Sequence, residues 1–326
     1  MRCSHPLVLP PRPFAIPAAL ALDAILGEPP AAIHPVVWIG RAVAQLERRA
    51  PEPPVLAFLY GSIVTAGVVG GAALAGTLLA RMARALPRPL GLLLESWLLK
   101  ATLSVHSLVE AGHDVEASLE ADDLPGARLA VTALVSRDAR ALGASQLASA
   151  AVESLAENTA DSIVAPLLFY ALGGLPGALA YRAANTLDAM IGYRGTYEYL
   201  GKSAARLDDL MNLLPARLSA VLLLGAGAVG GGDLRGGIEV MLRDRGRTAS
   251  PNAGWPMSAM AGLLGTRLEK IDHYVLGDPL PPPDLPAIDH AAELVKAATL
   301  LAALVTTGLA WIAGRTVGER RPKDGD

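Results

Sequence analysis

Val55-Leu-Ala-Phe-Leu-Tyr60-Gly-Ser-Ile-Val-Thr65-Ala-Gly-Val-Val-Gly70-Gly-Ala-Ala-Leu-Ala75-Gly-Thr-Leu-Leu-Ala80 contains no charged residue. It is longer than the roughly 20 residues a helix needs to cross the hydrocarbon core of a bilayer. Further runs compete for the same role. Leu90 to Val109 is apolar apart from Glu95, Lys100 and the polar residues of its second half. Ile163 to Tyr181 is uncharged but carries Gly173, Gly174, Pro176 and Gly177 at its centre. Leu213 to Gly230 holds only Arg217, and Ala297 to Ala313 is uncharged and just long enough. Phe14 to Leu26 is too short for a span and reads as re-entrant or partly buried. It loosely matches a signal peptide, but Asp23 and the prolines before it argue against cleavage.

Composition agrees with a membrane-embedded chain. Of 326 residues, 52% are hydrophobic and 18% charged, against about 25% charged in soluble domains. Aromatics are only 4%, so the apolar excess is Ala, Leu, Val and Gly, the small residues that let membrane helices approach closely. A net charge of −3 argues against a nucleic-acid partner, which would need a basic face. The one cysteine, Cys3, rules out an internal disulfide and a cysteine-based zinc site. The basic tail Arg315, Arg320, Arg321 and Lys323 favours a cytoplasmic C-terminus. The loops around Arg41, Arg48 and Arg49 and around Arg81, Arg84 and Arg88 are equally basic, so the positive-inside rule does not decide the topology.

The fold expected is all-α: one polytopic membrane unit over 1–326, with about five transmembrane helices and additional amphipathic or polar helices. A polar insert at about 110–161 shows helical periodicity in Leu129, Ala133, Val135 and Leu142 against Arg128, Arg137, Asp138 and Arg140. A region at about 231–290, rich in Gly, Pro and charge, reads as a loop region.

The densest chemistry lies in Glu153-Ser-Leu-Ala-Glu157-Asn158-Thr-Ala-Asp161. On a regular helix Glu153, Glu157 and Asp161 share one face. Their repulsion costs a few tenths of a kcal/mol per pair unless a cation sits among them. Mg²⁺, which takes oxygen ligands and bridges to phosphate, suits that role. A solvated acidic face is the plainer alternative, but acidic groups at a membrane boundary are functional candidates. Asn185-Thr-Leu-Asp188 and Arg206-Leu-Asp208-Asp209-Leu-Met-Asn212 repeat the carboxylate–carboxamide theme. Arg194, Lys202, Arg206 and Arg217 offer cations for phosphate oxygens. For the two acidic blocks to face one side, the Gly-Gly-Leu-Pro-Gly interruption must fold Ile163–Tyr181 into a hairpin, a break tolerated at membrane depth only around a protein cavity. Ser250-Pro-Asn252-Ala-Gly-Trp255-Pro is a turn-rich loop. Trp255 offers a flat face for a macrocycle or, as spacing alone favours, an interface anchor. His34, between Ile33 and Pro35, is a weaker candidate for ligand binding or proton transfer. No phosphate-binding Gly-x-x-x-x-Gly-Lys loop, nucleophile elbow or His-Glu-x-x-His helix is present.

At these residues the chain resembles the adenosylcobinamide-phosphate synthase family, CobD/CbiB. The resemblance is carried by LDAILGEPPAAIHPVVWIGR from Leu22, VESLAENTADSIVAPLLFYALGGLPGALAYRAANTLDAMIGY from Val152, ARLDDLMNLLPARL from Ala205 and SPNAGWPMSAMAG from Ser250, in the family's order. Glu28 stands where the family usually has Asp, and the stretch from Arg194 to Lys202 is looser than the family's. The resemblance implies an inner-membrane, multi-pass, ATP-dependent ligase of cobalamin biosynthesis. It would join adenosylcobyric acid to (R)-1-amino-2-propanol or its O-phosphate, with Mg²⁺ as cofactor, ATP as co-substrate and possible membrane partners from the same pathway. The catalytic residues expected are Glu153, Glu157, Asp161, Asp188 and Asp209, with Glu157, Asp161 and Asp188 on the metal. Asn158, Asn185, Arg206, Asn212, Arg217, Ser250, Asn252, Trp255 and His34 are expected to bind substrate or phosphate. The rivals are a UbiA-like membrane prenyltransferase, a transporter, and a non-catalytic membrane scaffold. The first would need paired Asp-rich repeats and the second inverted repeats, and neither is visible.

Overall fold

A computed structural model describes residues 10–319 except 137, 194 and 196, with side chains through 315. The expectations attached to Cys3, Arg137, Arg194, Arg320, Arg321 and Lys323 lie outside the described residues. The chain is almost wholly helical: α1 Ala15–Leu26, α2 Pro35–Glu47, α3 Pro54–Ala85, α4 Arg88–Lys100, α5 Val105–Glu120, α6 Leu124–Ala130, α7 Ala144–Asn158, a π-helical segment Thr159–Val164, α8 Ala165–Ile191, α9 Lys202–Met211, α10 Leu213–Gly230, α11 Leu234–Asp244, α12 Gly254–Leu264 and α13 Pro286–Glu319. A two-stranded hairpin, β1 Leu268–Lys270 and β2 Tyr274–Leu276, is the one sheet among the described residues.

Five stretches are long and apolar enough to cross a membrane: Pro54–Ala85, Arg88–Glu120, Ala144–Ile191, Leu213–Gly230 and Pro286–Arg315. Each contains or largely overlaps one of the apolar runs read from sequence, and together they mark a multi-pass membrane protein. Only 22% of the α3 window is buried within the protein. Val55, Leu59, Ile63, Leu74 and Leu78 point outward. An exposed apolar face of that extent is stable against lipid and costly against water.

The contacts gather into two compact units. The first comprises residues up to Leu103, Ala165–Met211 and the chain from Ala303. Here α3 packs on α8, with α2, α4 and α9 around them, and α1 lies on α4. A cluster of Val43, Val64, Leu187, Ile191, Leu200 and Ala204 forms part of its core. The charges that interrupt α4 are internal. Glu95, 1% exposed, accepts a hydrogen bond from the Tyr170 hydroxyl at 2.7 Å and lies 3.3 Å from Arg12 Nε. Lys100 donates to the Gly27 carbonyl. Helix α1 of the short Phe14–Leu26 run packs on α4, and its 12 residues fall short of the roughly 20 that a span needs.

α8 folds back on itself. Gly174 has φ 66° and ψ −160°, which takes it out of the helix. The Phe169 and Tyr181 rings stack with centroids 5.1 Å apart. In a straight helix, residues twelve apart would be separated by about 18 Å along the axis. A Cβ at Gly177 would sit 2.3 Å from the Phe169 carbonyl oxygen, so only glycine lets the two arms approach. Glycine at the turn and Pro176 just after it make the hairpin.

The second unit comprises Ser104–Val164 and Asn212–Ala302. It contains α5, α6 and α7, the π segment, α10 to α12 and the β-hairpin, and so takes in both polar stretches read from sequence. Two expectations change. Periodicity across Leu129–Leu142 does not give one helix: the helical chain stops at Ala133, and Leu129 is 74% exposed. The alternation there belongs to a short surface helix and a loop, which periodicity alone does not separate. The region 231–290 is also more ordered than a loop. Asp233 caps α11 by accepting the Gly236 N–H, and Gly265, at φ 62°, terminates α12. The Gly and Asp residues mark helix ends rather than absent structure.

Candidate functional site

Helix α7 begins where the Gln146 side chain accepts the Gly143 N–H at 2.9 Å. Ten of its residues are buried, Leu147 through Ala156, so the carboxylate at Glu153 is carried into the interior. Glu153 is 5% exposed and both its oxygens are engaged. Ser149 Oγ donates to Oε1 at 2.8 Å and the Tyr274 hydroxyl donates to Oε2 at 2.7 Å. The Glu269 N–H in turn donates to Ser149 Oγ at 2.8 Å. These bonds polarise one another in sequence. In the β-hairpin, Lys270 and Tyr274 are directly paired, so their side chains share one face. Glu153, Ser154, Glu157, Ser136, Lys270 and Tyr274 are among the residues around a cavity of about 140 Å³.

The acidic spacing is regular only in part. Glu153 and Glu157 keep their i, i+4 relation on α7. Asp161 falls in the π segment, where the wider turn breaks the α-helical alignment expected for it. Asn158 helps to build that turn. Its amide donates to the Ser154 carbonyl at 3.0 Å, and its oxygen accepts from Ser162 Oγ at 3.1 Å. π turns of this kind are frequent at functional sites.

In the first unit the outgoing arm of α8 carries Arg182, Asn185 and Asp188, and α9 carries Arg206, Asp208 and Asp209. Asn185 Nδ2 donates to Asp208 Oδ1 at 3.3 Å, while Arg182 Nη1 donates to Asn185 Oδ1 at 3.2 Å. The structure thus joins the two Asp/Asn segments through Asn185. Arg206 lies 4.0 Å from Asp209 on an exposed face. Burial pushes the Asp209 carboxyl above the ordinary carboxylate range, with Arg206 opposing the shift. The glutamates, Asn158 and Asp161 stand in the second unit, and Asp188 and Asp209 in the first. Among the described residues, the group of three with converging ligand atoms is His113, Glu116 and Asp289, a set that spacing did not suggest.

The Ser250–Trp255 loop is built on its own hydrogen bonds. Ser250 Oγ accepts the Asn252 N–H at 3.2 Å. Asn252, 5% exposed, accepts from Arg217 Nη1 at 2.7 Å. Trp255 lies under the guanidiniums of Arg217 and Arg245. Asn212 is buried and precedes α10, where its carbonyl accepts the Ala216 N–H. His34 has a structural role instead of an open one. Its Nδ1 accepts the Val36 N–H at 3.2 Å, capping α2, so Nε2 carries the proton and donates to Glu28 at 2.8 Å.

The sequence profile of the family described as CobD/Cbib protein matches residues 16–306. The chain belongs to the CobD/CbiB family. A cobalamin biosynthesis protein CobD from Dehalococcoides mccartyi is 38% identical over 296 residues, covering 90% of this chain and 96% of that one. Probable CobD proteins from Methanothermobacter thermautotrophicus and Pyrococcus furiosus are 40% and 43% identical, covering 89% and 80% of this chain and 95% and 86% of theirs. No solved structure matches.

Within this CobD/CbiB chain, sequence reasoning gave no site role to Ser149, Arg182, Lys270 or Tyr274, and noted Arg245 only as a charge preceding the Ser250 loop. For Arg182 a signal existed, because it sits i, i+3 from Asn185 on the same helix. Tyr274 reaches Glu153 across a sequence separation of 121 residues. No local spacing can announce such a partner.

Proposed function

We propose that this chain is an inner-membrane ligase of cobalamin biosynthesis. It joins adenosylcobyric acid to (R)-1-amino-2-propanol or its O-phosphate at the expense of ATP. The observation that carries the reading is the family match over residues 16–306, which takes in all four blocks quoted above. The geometry supports it by setting carboxylates, carboxamides and guanidiniums in each unit in hydrogen-bonded arrays, the groups a phosphoryl-transfer reaction uses.

A carboxylate is a poor electrophile and must be activated before an amine will attack it. In the proposed sequence the corrinoid carboxylate oxygen takes the γ-phosphoryl group of ATP, the bond to the β-phosphate oxygen breaks, and ADP leaves. The amine nitrogen then bonds to the acyl carbon and phosphate departs. Only the free amine is nucleophilic, so the incoming ammonium first gives its proton to a carboxylate. Glu153 and Glu157, beside one cavity, are the candidates. Arg206 and Arg217 offset charge on phosphoryl oxygens.

Of the expected metal residues, Glu157 and Asp161 belong to the second unit with Asn158, and Asp188 to the first with Asn185; within each unit the ligands they offer are oxygens. That donor set fits Mg²⁺ better than a metal that prefers nitrogen or sulfur. When bound, Mg²⁺ would neutralise phosphate charge. Other corrinoid-pathway membrane proteins are the chain's proposed partners.

The test is a reconstitution. Protein in lipid receives adenosylcobyric acid, aminopropanol phosphate, ATP and Mg²⁺, and the corrinoid is weighed by mass spectrometry. A gain equal to one amide-linked aminopropanol phosphate is expected. An unchanged corrinoid, with free aminopropanol also tried and the fold verified, would sink the reading.

A further inference from the structure

Arg217, Arg243, Arg245 and Arg247 divide into two kinds. Arg243 Nη2 lies 2.7 Å and Arg247 Nε 3.1 Å from the carboxylate of Asp244, which is fully buried. Burial pushes the Asp244 carboxyl up. The Arg243 hydrogen bond, the Gly277 N–H and the charge of Arg247 together outweigh that push and hold it below the ordinary carboxylate range. Asp244 therefore stays ionised and serves both of these arginines.

Arg217 and Arg245 are different. Arg217 Nη1 donates to the Leu213 carbonyl at 2.9 Å and to Asn252 Oδ1 at 2.7 Å, and Nη2 donates to the Pro251 carbonyl at 3.4 Å. Arg245 Nη1 donates to the Leu242 carbonyl. Every one of these acceptors is neutral. Both guanidiniums also crowd onto one indole, with Cζ atoms 4.8 Å and 5.0 Å from the Trp255 ring centroid. A guanidinium keeps its charge at any physiological pH, so two like charges share this surface without a carboxylate among their described partners. Attraction of each guanidinium to the ring face works against that repulsion. The N-terminus of α12 opens beside them at Gly254, where Ala253 offers no capping side chain, and adds a partial positive charge. Arg217 has five N–H donors, and the three bonds above leave two for an oxyanion.

We propose that Arg217, Arg245 and Trp255 form a binding site for a phosphate group carried by a water-soluble substrate. The proposal rests on the function given above, whose reaction brings in two candidate phosphate carriers, ATP and aminopropanol phosphate. Arg217 is fixed by Asn252 and presents a preset fork. Arg245 supplies the second charge, and the Trp255 ring contacts both guanidiniums.

The full chain in phosphatidylcholine nanodiscs is titrated with inorganic pyrophosphate by calorimetry. Arg245→Gln is expected to weaken binding about tenfold or more, since charge-assisted bonds are the strong ones, and Arg245→Lys to recover part of it. Arg235→Gln, which removes an exposed charge paired with Glu239 on α11, is expected to leave binding unchanged. Binding by Arg245→Gln within about twofold of the parent, where one lost charge-assisted contact should do more, would overturn the site. So would an equal loss in Arg235→Gln. Vesicles containing phosphatidylglycerol form a separate arm: if Arg245 governs only vesicle flotation and not pyrophosphate binding, the ligand is a lipid headgroup and the proposal falls. Pyrophosphate binding that needs Arg245, with no mass gain on the corrinoid, keeps the site and removes the ligase reading. A mass gain with binding indifferent to Arg245 does the reverse.

Discussion

Asp209 is ionised at a cost. Burial raises its carboxyl above the ordinary range, and Arg206, 4.0 Å away and largely exposed, only partly compensates. An acid with a raised folded-state pKa contributes stability that is complete below its unfolded value and is lost as pH rises through the folded value. In its charged form the group works against the fold, a pattern found among functional carboxylates. Asp209→Asn is therefore expected to raise the midpoint of thermal unfolding at pH 7, to reduce that gain as the pH is lowered toward the ordinary carboxylate range, and to cut amide formation about a hundredfold. Unfolding scans at several pH values together with the corrinoid assay check it. A variant that is both less stable and fully active would show that Asp209 is an ordinary structural acid. The sequence pointed to Asp209 because Asp and Asn recur between apolar runs. It did not show that Asn185 would bridge to Asp208, since a hydrogen bond between helices depends on packing that no spacing within either segment encodes.

At the scale of the element, the hairpin in α8 was legible and the π segment was not. Gly173-Gly174-Leu-Pro176-Gly177 interrupts an apolar run with the residues that end helices, so a turn could be read directly from it. The segment Thr159–Val164 has no such punctuation. Asn158 and Ser162 bond to each other across its start, and the regular spacing of Glu153, Glu157 and Asp161 hid the change. The hairpin also makes a contrast between neighbouring glycines. A Cβ at Gly177 would lie 2.3 Å from the Phe169 carbonyl oxygen, while one at Gly173 would meet nothing within 4 Å. Gly177→Val should prevent the arms from closing and abolish the folded, monodisperse protein. Gly173→Ala should be neutral or stabilising by up to about 1 kcal/mol, through lost freedom in the unfolded chain. Size-exclusion profiles and unfolding midpoints in detergent decide between them. Equal tolerance at both positions would mean that the arms do not approach as described.

For the whole molecule, the question is which exposed apolar residues face lipid and which face water. Exposure by itself does not tell them apart: Leu74 on α3 is 60% exposed and Leu129 on α6 is 74% exposed. Their settings do. Leu74 lies in a 32-residue helix whose most apolar 18-residue window has a mean hydropathy of 1.9 and is mostly unburied. Leu129 is in the last turn of a seven-residue helix beside Arg128, whose Nε donates to the Leu142 carbonyl. The uncharged run from Val55 made the first assignment possible from sequence. The second needed the structure, because Leu129 carries the same periodic signal as a buried position. An aspartate near the centre of a spanning helix costs about 2.5–3.5 kcal/mol on insertion scales, whereas on a water-facing surface substitutions usually stay within about 0.5 kcal/mol. Leu74→Asp should therefore lower the yield of membrane-integrated protein severalfold, and Leu129→Asp should leave it unchanged. Quantifying the carbonate-resistant membrane fraction of each variant is the measurement. If both integrate equally well, α3 is not lipid-facing at Leu74; if both fail, Leu129 belongs to a surface that lipid or another protein covers.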